Sequence, residues 1–241
     1  MNLQSLNIKL ILGAVYLLLL VSGILFFVSY YNVSDFLSYE FIRLNKNVIL
    51  EYKYENFLIL TFVFFVFCTA WVLMLGFATP ILLFAGFVFG KWWGLLIVVV
   101  STTMGASLLY FLANLFFRDI IKEKFSPKFS KLKKFFNKNE LIYFMFFRFI
   151  GGGGVPYAAQ NVLPVLFNMS LKNYVLATFF GSIPSMFVTV SLGSGIESVI
   201  DKNLEFKFLK VIFSPEIYLP IFGFFILLIL AFILKKIYFK K

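Results

Sequence analysis

Residues 141–167 read LIYFMFFRFIGGGGVPYAAQNVLPVLF, an apolar stretch interrupted by four consecutive glycines and a proline. About 20 residues of helix cross a bilayer. Gly151–Gly154 and Pro156 prevent a continuous helix here, because glycine loses the most backbone entropy and proline lacks a donor. The limbs on either side, residues 141–150 and 156–167, are each too short to span. We therefore predict a re-entrant hairpin that enters the membrane and leaves by the same face.

The composition of the 241-residue chain is that of an all-α polytopic membrane protein. Hydrophobic residues make up 61% of it and charged residues 14%, with a mean hydropathy of +0.95. There is no histidine, and the single cysteine, Cys68, lies inside an apolar run. These counts exclude His-dependent catalysis, an intrachain disulfide and a Cys-rich metal site. With no nucleophile motif and no paired carboxylates in the apolar segments, we expect no enzyme activity, no metal and no cofactor.

Four segments are predicted to cross the membrane as full helices. The first, residues 8–30, could also be a signal peptide, but its apolar core is long and no A-x-A cleavage site follows. We interpret it as a retained helix. The other three predicted spans are residues 93–117, 174–192 and 217–234.

Two charged amphipathic segments, residues 34–56 and 118–140, are predicted to lie on the membrane surface. The second carries eight Lys or Arg residues against three acids, interleaved with aromatic and aliphatic side chains. Between membrane segments, such a pattern indicates contact with anionic lipid and not with nucleic acid. The net charge of +11 has the same explanation, since the charges flank apolar segments.

The order of an amphipathic segment, a Pro/Gly-broken apolar stretch and a membrane helix occurs twice, in residues 34–117 and 118–195. Pro80 and Pro156 lie at comparable places in the two units. We therefore predict a single membrane domain at 34–195, built as an inverted repeat. Residues 1–33 form an N-terminal helix, and residues 196–241 a polar linker and a C-terminal helix.

The uncharged stretch 57–90 is open to two interpretations: a full span followed by a short dip, or one hairpin bent near residues 76–80. The hairpin places fourteen of the 22 basic residues on the side of the two termini and seven on the other. The positive-inside rule favours that layout, with both termini cytoplasmic. It gives about four full spans and two re-entrant hairpins that enter from opposite faces.

The motifs of residues 57–195 resemble those of the DedA/SNARE-associated Golgi (VTT-domain) membrane proteins. In the first half the resemblance is carried by Pro80-x5-Gly86-x3-Gly90-x3-Gly94, Gly105 and residues 110–118. In the second half it is carried by Arg148, the Gly/Pro bend, Pro156-x4-Asn161, Tyr174 and Gly181.

The resemblance implies two opposed re-entrant hairpins and a role in lipid movement between leaflets, lipid-carrier recycling or envelope homeostasis. The chain departs from the family pattern in three ways. Glycines replace the proline that usually follows the hairpin arginine, and Val165 stands where a glycine is usual. The first hairpin lacks the acidic residue of the branch credited with proton-coupled transport, which weakens a proton-coupled interpretation.

Arg148 is the strongest candidate site residue. An arginine near the middle of a membrane costs roughly 2.5–3.5 kcal/mol on insertion scales, so it needs a partner. Its side chain could extend to the membrane face that carries most of the basic residues, or donate to backbone carbonyls at the glycine bend. Alternatively, it could bind a lipid phosphate. Gly151, Gly152, Gly153 and Gly154 could be a plain turn, or could form an anion cradle beside the limb that begins at Pro156.

Other residues have both a structural and a functional interpretation. Gln160 and Asn161 could bond between helices or contact the same ligand. The remaining candidates, which we expect at the hairpins or at helix contacts, are Pro80, Gly86, Gly90, Gly105 and Gly181.

We predict that the protein handles anionic phospholipid or another lipid phosphate in the cell membrane. A non-catalytic scaffold protein is the alternative, and an ion- or proton-coupled solute transporter is a weaker one. The sequence leaves the identity of the lipid, the driving force and the oligomeric state open, a homo-oligomer included.

Overall fold

The computed structural model describes residues 39–76, 78–125 and 139–201, together with residues 11, 13–16, 18, 22, 136, 218, 221–223, 225, 226 and 229. Helix is the only regular secondary structure in these residues, which confirms the all-α class for them. Two of their helices, Ala78–Phe116 and Leu171–Gly195, are long and apolar enough to cross a membrane, or three if a bent pair counts as one span. The predicted spans at 8–30 and 217–234 lie outside the described residues, apart from scattered positions.

The first amphipathic segment forms helix α1 (Tyr39–Glu55), which meets the apolar helix α2 (Phe57–Leu73) at Asn56. The chain bends by 107° between Asn47–Glu55 and Phe57–Leu73. Charges and apolar residues are mixed in α1, whereas α2 carries no charge. A right-angled change of direction at this boundary is the geometry expected of a surface helix followed by a helix that enters the membrane.

Helix α3 (Ala78–Phe116) is broken at Gly90, whose φ of +76° lies in the region that only glycine adopts freely. The break divides it into limbs of residues 78–89 and 91–116. A Cβ at Gly94 would lie 2.6 Å from the Ala85 carbonyl oxygen, so the two limbs run side by side. Gly90, which we had expected to be a packing position, instead has nothing within 4 Å of its Cβ site and serves the turn.

Helix α2 and limb 78–89 form a helical hairpin whose two ends meet. The Phe57 ring, at the start of α2, lies 6.2 Å from the Phe89 ring and 5.8 Å from Trp93. At the other end, the chain reverses between Leu73 and Ala78, and the Tyr16 hydroxyl donates to the Leu73 carbonyl at 2.8 Å. The Phe89 ring also lies 5.3 Å from the Phe64 ring in the middle of α2, so limb 78–89 packs antiparallel along α2.

The second half of the chain doubles back in a similar way. At the mouth of this second hairpin, the Glu140 carboxylate accepts hydrogen bonds from Ser170 Oγ at 2.9 Å and from Asn173 Nδ2 at 2.6 Å. The elements of this half of the chain are α4 (Arg118–Phe125), α5 (Glu140–Phe149), a 3₁₀ turn at Gly151–Gly154, α6 (Tyr157–Val162), a second 3₁₀ turn at Leu163–Phe167, and α7 (Leu171–Asp201). The second hairpin consists of α5 and the segment from Tyr157 to Phe167.

We call the open end of each hairpin, opposite its turn, its mouth. The mouths of the two hairpins lie at opposite ends of limb 91–116. Trp93, near the start of this limb, contacts the first mouth at Phe57. Near its end, the Tyr110 ring stacks on Tyr174 with centroids 4.4 Å apart, beside the second mouth. The two hairpins therefore point in opposite directions along this limb, which is the relation that an inverted repeat requires.

Three of the glycines expected at hairpins or helix contacts, like Gly193, lie where helices cross at backbone contact. A Cβ would come within 1.9 Å of the Val190 carbonyl oxygen at Gly86, 2.5 Å of the Thr69 oxygen at Gly105 and 2.5 Å of the Met145 oxygen at Gly181. Any side chain there would separate the helices. Helix α7 continues past these crossings to Asp201, so the first residues of the stretch predicted as a linker are helical.

Candidate functional site

Helix α5 carries Arg148 into the interior of the second hairpin. The helix begins after Asn139, whose side chain accepts a hydrogen bond from the Ile142 amide at 3.1 Å as an N-cap. Arg148 lies in its last turn, where the helix dipole favours a cation. Only 2% of the arginine surface is exposed. The charge is therefore buried within the protein.

The partners of the buried guanidinium are all uncharged. Its Nη1 donates to Gln160 Oε1 at 3.3 Å, and its Nη2 donates to Asn161 Oδ1 at 2.5 Å and to the Tyr174 hydroxyl at 3.1 Å. Among the described residues, no carboxylate accepts a hydrogen bond from it. A buried charge without a counter-ion is costly unless its hydrogen bonds are satisfied. Within the described part of the chain, the site therefore holds one positive charge without a counter-ion.

Three aromatic rings surround the guanidinium. Its central carbon lies 4.9 Å from the Phe144 ring centroid, 5.4 Å from Tyr157 and 5.9 Å from Tyr174. Phe144 is one helical turn before Arg148 on α5, and Tyr174 is in the first turn of α7. Cation–π attraction contributes about 0.5–2 kcal/mol for a desolvated pair, and it lowers the cost of burying Arg148.

Gln160 connects the arginine to the glycine loop. Its Nε2 donates to the Val155 carbonyl at 2.7 Å and to the Gly151 carbonyl at 3.3 Å, while its Oε1 accepts from Arg148. A Cβ at Gly152 would lie 2.1 Å from the Gln160 carboxamide. The loop thus holds Gln160 in place, and Gln160 holds Arg148.

The four glycines form a left-handed turn, with φ values between +59° and +83°. Residues that carry a side chain rarely adopt this backbone conformation, which explains the run of glycines here. Gly152 is buried, whereas Gly151, Gly153 and Gly154 are exposed, as is Pro156. The structure therefore joins this loop to Arg148 through Gln160.

Several polar atoms around Arg148 are buried and have no hydrogen-bond partner in the described structure. They include Arg148 Nε, Asn161 Nδ2, the neighbouring Tyr157 hydroxyl, and Thr178 Oγ1 beside Tyr174. All four can donate a hydrogen bond, and Arg148 Nε and Asn161 Nδ2 can only donate. Buried donors are rarely left unpaired. The arrangement suits a ligand that offers several acceptor oxygens.

The structure brings together the sequence candidates Arg148, Gln160 and Asn161. It adds Phe144, Tyr157 and Thr178, which sequence reasoning missed; Tyr174 had been noted only as part of the family pattern. Phe144 had a detectable signal, since it lies four residues before Arg148 on one helix face. Pro80, in the first turn of α3, Gly86 and Gly105 lie elsewhere, whereas a Cβ at Gly181 would lie 2.9 Å from the Cβ of Arg148, so this glycine lets α7 pack against the arginine. Within the described ranges, no three His, Cys, Asp or Glu side chains come together as a metal site would require.

Comparison with known proteins agrees with this architecture. Residues 77–195, which contain both limbs of α3, the second hairpin and most of α7, match the VTT domain. The chain is thus a membrane protein that contains a VTT domain, in agreement with its resemblance to the DedA family.

The chain is also similar to uncharacterized protein YqeD of Bacillus subtilis (strain 168), with 29% identity over 153 residues. The alignment covers 63% of this chain and 65% of that protein. No solved structure matches the chain.

Proposed function

We propose that this protein binds the phosphate of an anionic lipid at Arg148 and moves lipid between the two leaflets of the cell membrane. The observation that carries the proposal is the Arg148 guanidinium, which is 2% exposed and whose hydrogen-bond partners among the described residues are all uncharged. A ligand anion would supply the missing counter-charge.

A phosphate suits this site for two reasons. Its charge pairs with the guanidinium, and charge-assisted bonds are about twice as strong as neutral ones. Its oxygens accept several hydrogen bonds at once, and Arg148 Nε, Asn161 Nδ2 and the Tyr157 hydroxyl are buried donors without a partner. A carbonyl or hydroxyl ligand would satisfy the donors and leave the charge uncompensated.

The hairpins provide a route for a lipid headgroup. We take α2 with limb 78–89, and α5 with the segment from Tyr157 to Phe167, as re-entrant hairpins entering from opposite faces, flanked by four full spans. Backbone that is not helical at membrane depth must be buried in protein or reach water. The glycine loop beside Arg148 is such backbone, and three of its four glycines are exposed. Both termini and the basic segment 118–140 then face the cytoplasm.

A structural role for Arg148 in a non-catalytic scaffold protein is the competing function. The three hydrogen bonds and three aromatic rings around the guanidinium support it, because they would stabilise the hairpin without any ligand. The two functions differ in what the loss of the charge does to the fold and to lipid movement.

The test is lipid exchange in vesicles. The purified protein is reconstituted, and a fluorescent phosphatidylglycerol is followed by chemical quenching of the outer leaflet. We expect wild-type protein to accelerate exchange over protein-free vesicles, and Arg148→Gln to lose nearly all of the acceleration while keeping its thermal stability. Arg118→Gln is the matched control, since Arg118 also bonds an asparagine, at 2.8 Å, but at an exposed position. Wild-type vesicles indistinguishable from protein-free ones would refute the proposal.

A further inference from the structure

The Asn161 carboxamide has one satisfied end and one unsatisfied end. Its Oδ1 accepts from Arg148 Nη2 at 2.5 Å, and its Nδ2 has no partner among the described residues, although the side chain is fully buried. This orientation is fixed by chemistry, because a guanidinium only donates and must face the carboxamide oxygen. The Nδ2 group therefore points away from the arginine, and the neighbouring polar group is the Tyr157 hydroxyl, which likewise has no hydrogen bond among the described residues.

The exposed Asn168 makes the same kind of hydrogen bond to an arginine, but at the surface of the protein. Its Oδ1 accepts from Arg118 at 2.8 Å at the surface, where water can satisfy the remaining groups. At position 161 the side chain is fully buried, and a buried donor left without a partner costs roughly 1–3 kcal/mol. A carboxylate at 161 would keep the contact with Arg148, remove the unpaired donor and supply a counter-ion. For the fold alone, aspartate would be the better residue.

We infer that Asn161 is a specificity-determining residue of the Arg148 site: it holds the guanidinium without neutralising it and presents Nδ2 to the bound oxyanion. This inference rests on the proposed function and assigns the site's selectivity for anions to Asn161. The amide leaves the site with a net charge of +1, which an oxyanion neutralises. An aspartate would leave it neutral and would turn a second negative charge toward the ligand.

Two substitutions at 161 distinguish this role from a structural one. Asn161→Asp keeps the oxygen that Arg148 needs, whereas Asn161→Leu removes both polar ends without adding charge. If Asn161 selects the anion, exchange of fluorescent phosphatidylglycerol falls in the order wild type, Asn161→Leu, Asn161→Asp. The loss in Asn161→Asp is at least about tenfold, because a charged hydrogen bond is removed and a repulsion is added. If Asn161 only holds Arg148, the order of the two variants reverses.

Asn168→Asp is the control, since it makes the same chemical change beside an exposed arginine and should leave exchange unchanged. Thermal stability in detergent is measured on every variant, and Asn161→Asp should be at least as stable as wild type. Exchange by Asn161→Asp at the wild-type rate, or unfolding of this variant, would overturn the inference. If wild-type protein exchanges lipid and Arg148→Gln does not, either of those results refutes the role of Asn161 alone and leaves the proposed function standing.

Discussion

Arg148 and Asn161 are thirteen residues apart in the chain, and a hydrogen bond of 2.5 Å joins the guanidinium to the carboxamide oxygen. They lie on the two limbs of one hairpin, α5 and α6. The bond therefore links the two limbs and orients the arginine. Because Asn161 is neutral, it leaves the charge of Arg148 without a counter-ion among the described residues.

Gly152 should be the least replaceable glycine of the loop. Gly152→Ala places a side chain at a φ of +76° and 2.1 Å from the Gln160 carboxamide. Gly154→Ala has a similar φ of +83° but meets nothing within 4 Å, so it carries only the backbone strain of about 1–2 kcal/mol. We expect Gly152→Ala to lose more thermal stability and more lipid exchange than Gly154→Ala. Equal effects of the two substitutions would show that the contact with Gln160 is unimportant.

The helix crossings at Gly86 and Gly105 should tolerate no side chain. Gly86→Leu must displace α7, because even a Cβ would lie 1.9 Å from the Val190 carbonyl oxygen. Gly223→Ala is the control, since nothing lies within 4 Å of its Cβ site. We expect Gly86→Leu to yield little folded protein on size-exclusion chromatography and Gly223→Ala to elute as wild type. A monodisperse, stable Gly86→Leu variant would contradict this packing.

Part of this architecture could be predicted from the sequence because glycine and proline act locally. The break at Gly151–Gly154 and the charge buried at Arg148 follow from residue chemistry alone. The role of Gly90 could not be predicted in this way, because a glycine at a turn and a glycine at a helix crossing cannot be told apart from the sequence. Tyr157 and Thr178 also escaped notice, since only the packing of α6 and α7 on α5 brings them to the arginine.

The mouth of the second hairpin should depend on Glu140. Its carboxylate accepts from Ser170 Oγ, the Ser170 amide and Asn173 Nδ2. Glu140→Ala should lower stability by about 1–3 kcal/mol, because charged hydrogen bonds are lost, and Glu140→Gln should lower it less. A double-mutant cycle with Ser170→Ala checks the assignment through thermal unfolding. Additive effects of the two substitutions would mean that the residues do not interact in solution.

The proposed topology can be checked by labelling cysteines from outside the membrane. In a background with Cys68 replaced, Lys128→Cys and Tyr238→Cys should react from the same side, and Lys46→Cys from the opposite side. The reason is the distribution of basic residues, which places both termini and the segment 118–140 together. Reaction of positions 46 and 128 from one side would exclude both the four-span layout and the inverted repeat in the membrane.

The most direct test of the Arg148 site is the affinity of the protein for a short-chain phosphatidylglycerol in detergent, with a diacylglycerol of the same chain length for comparison. We expect wild-type protein to bind the phospholipid and not the diacylglycerol. Arg148→Gln should weaken binding by about tenfold or more, since charged hydrogen bonds contribute roughly 1.5–3 kcal/mol each. The affinity of Arg148→Lys should lie between those of wild type and Arg148→Gln, because lysine keeps the charge and loses the planar guanidinium. An unchanged affinity in a stably folded Arg148→Gln variant would contradict the account.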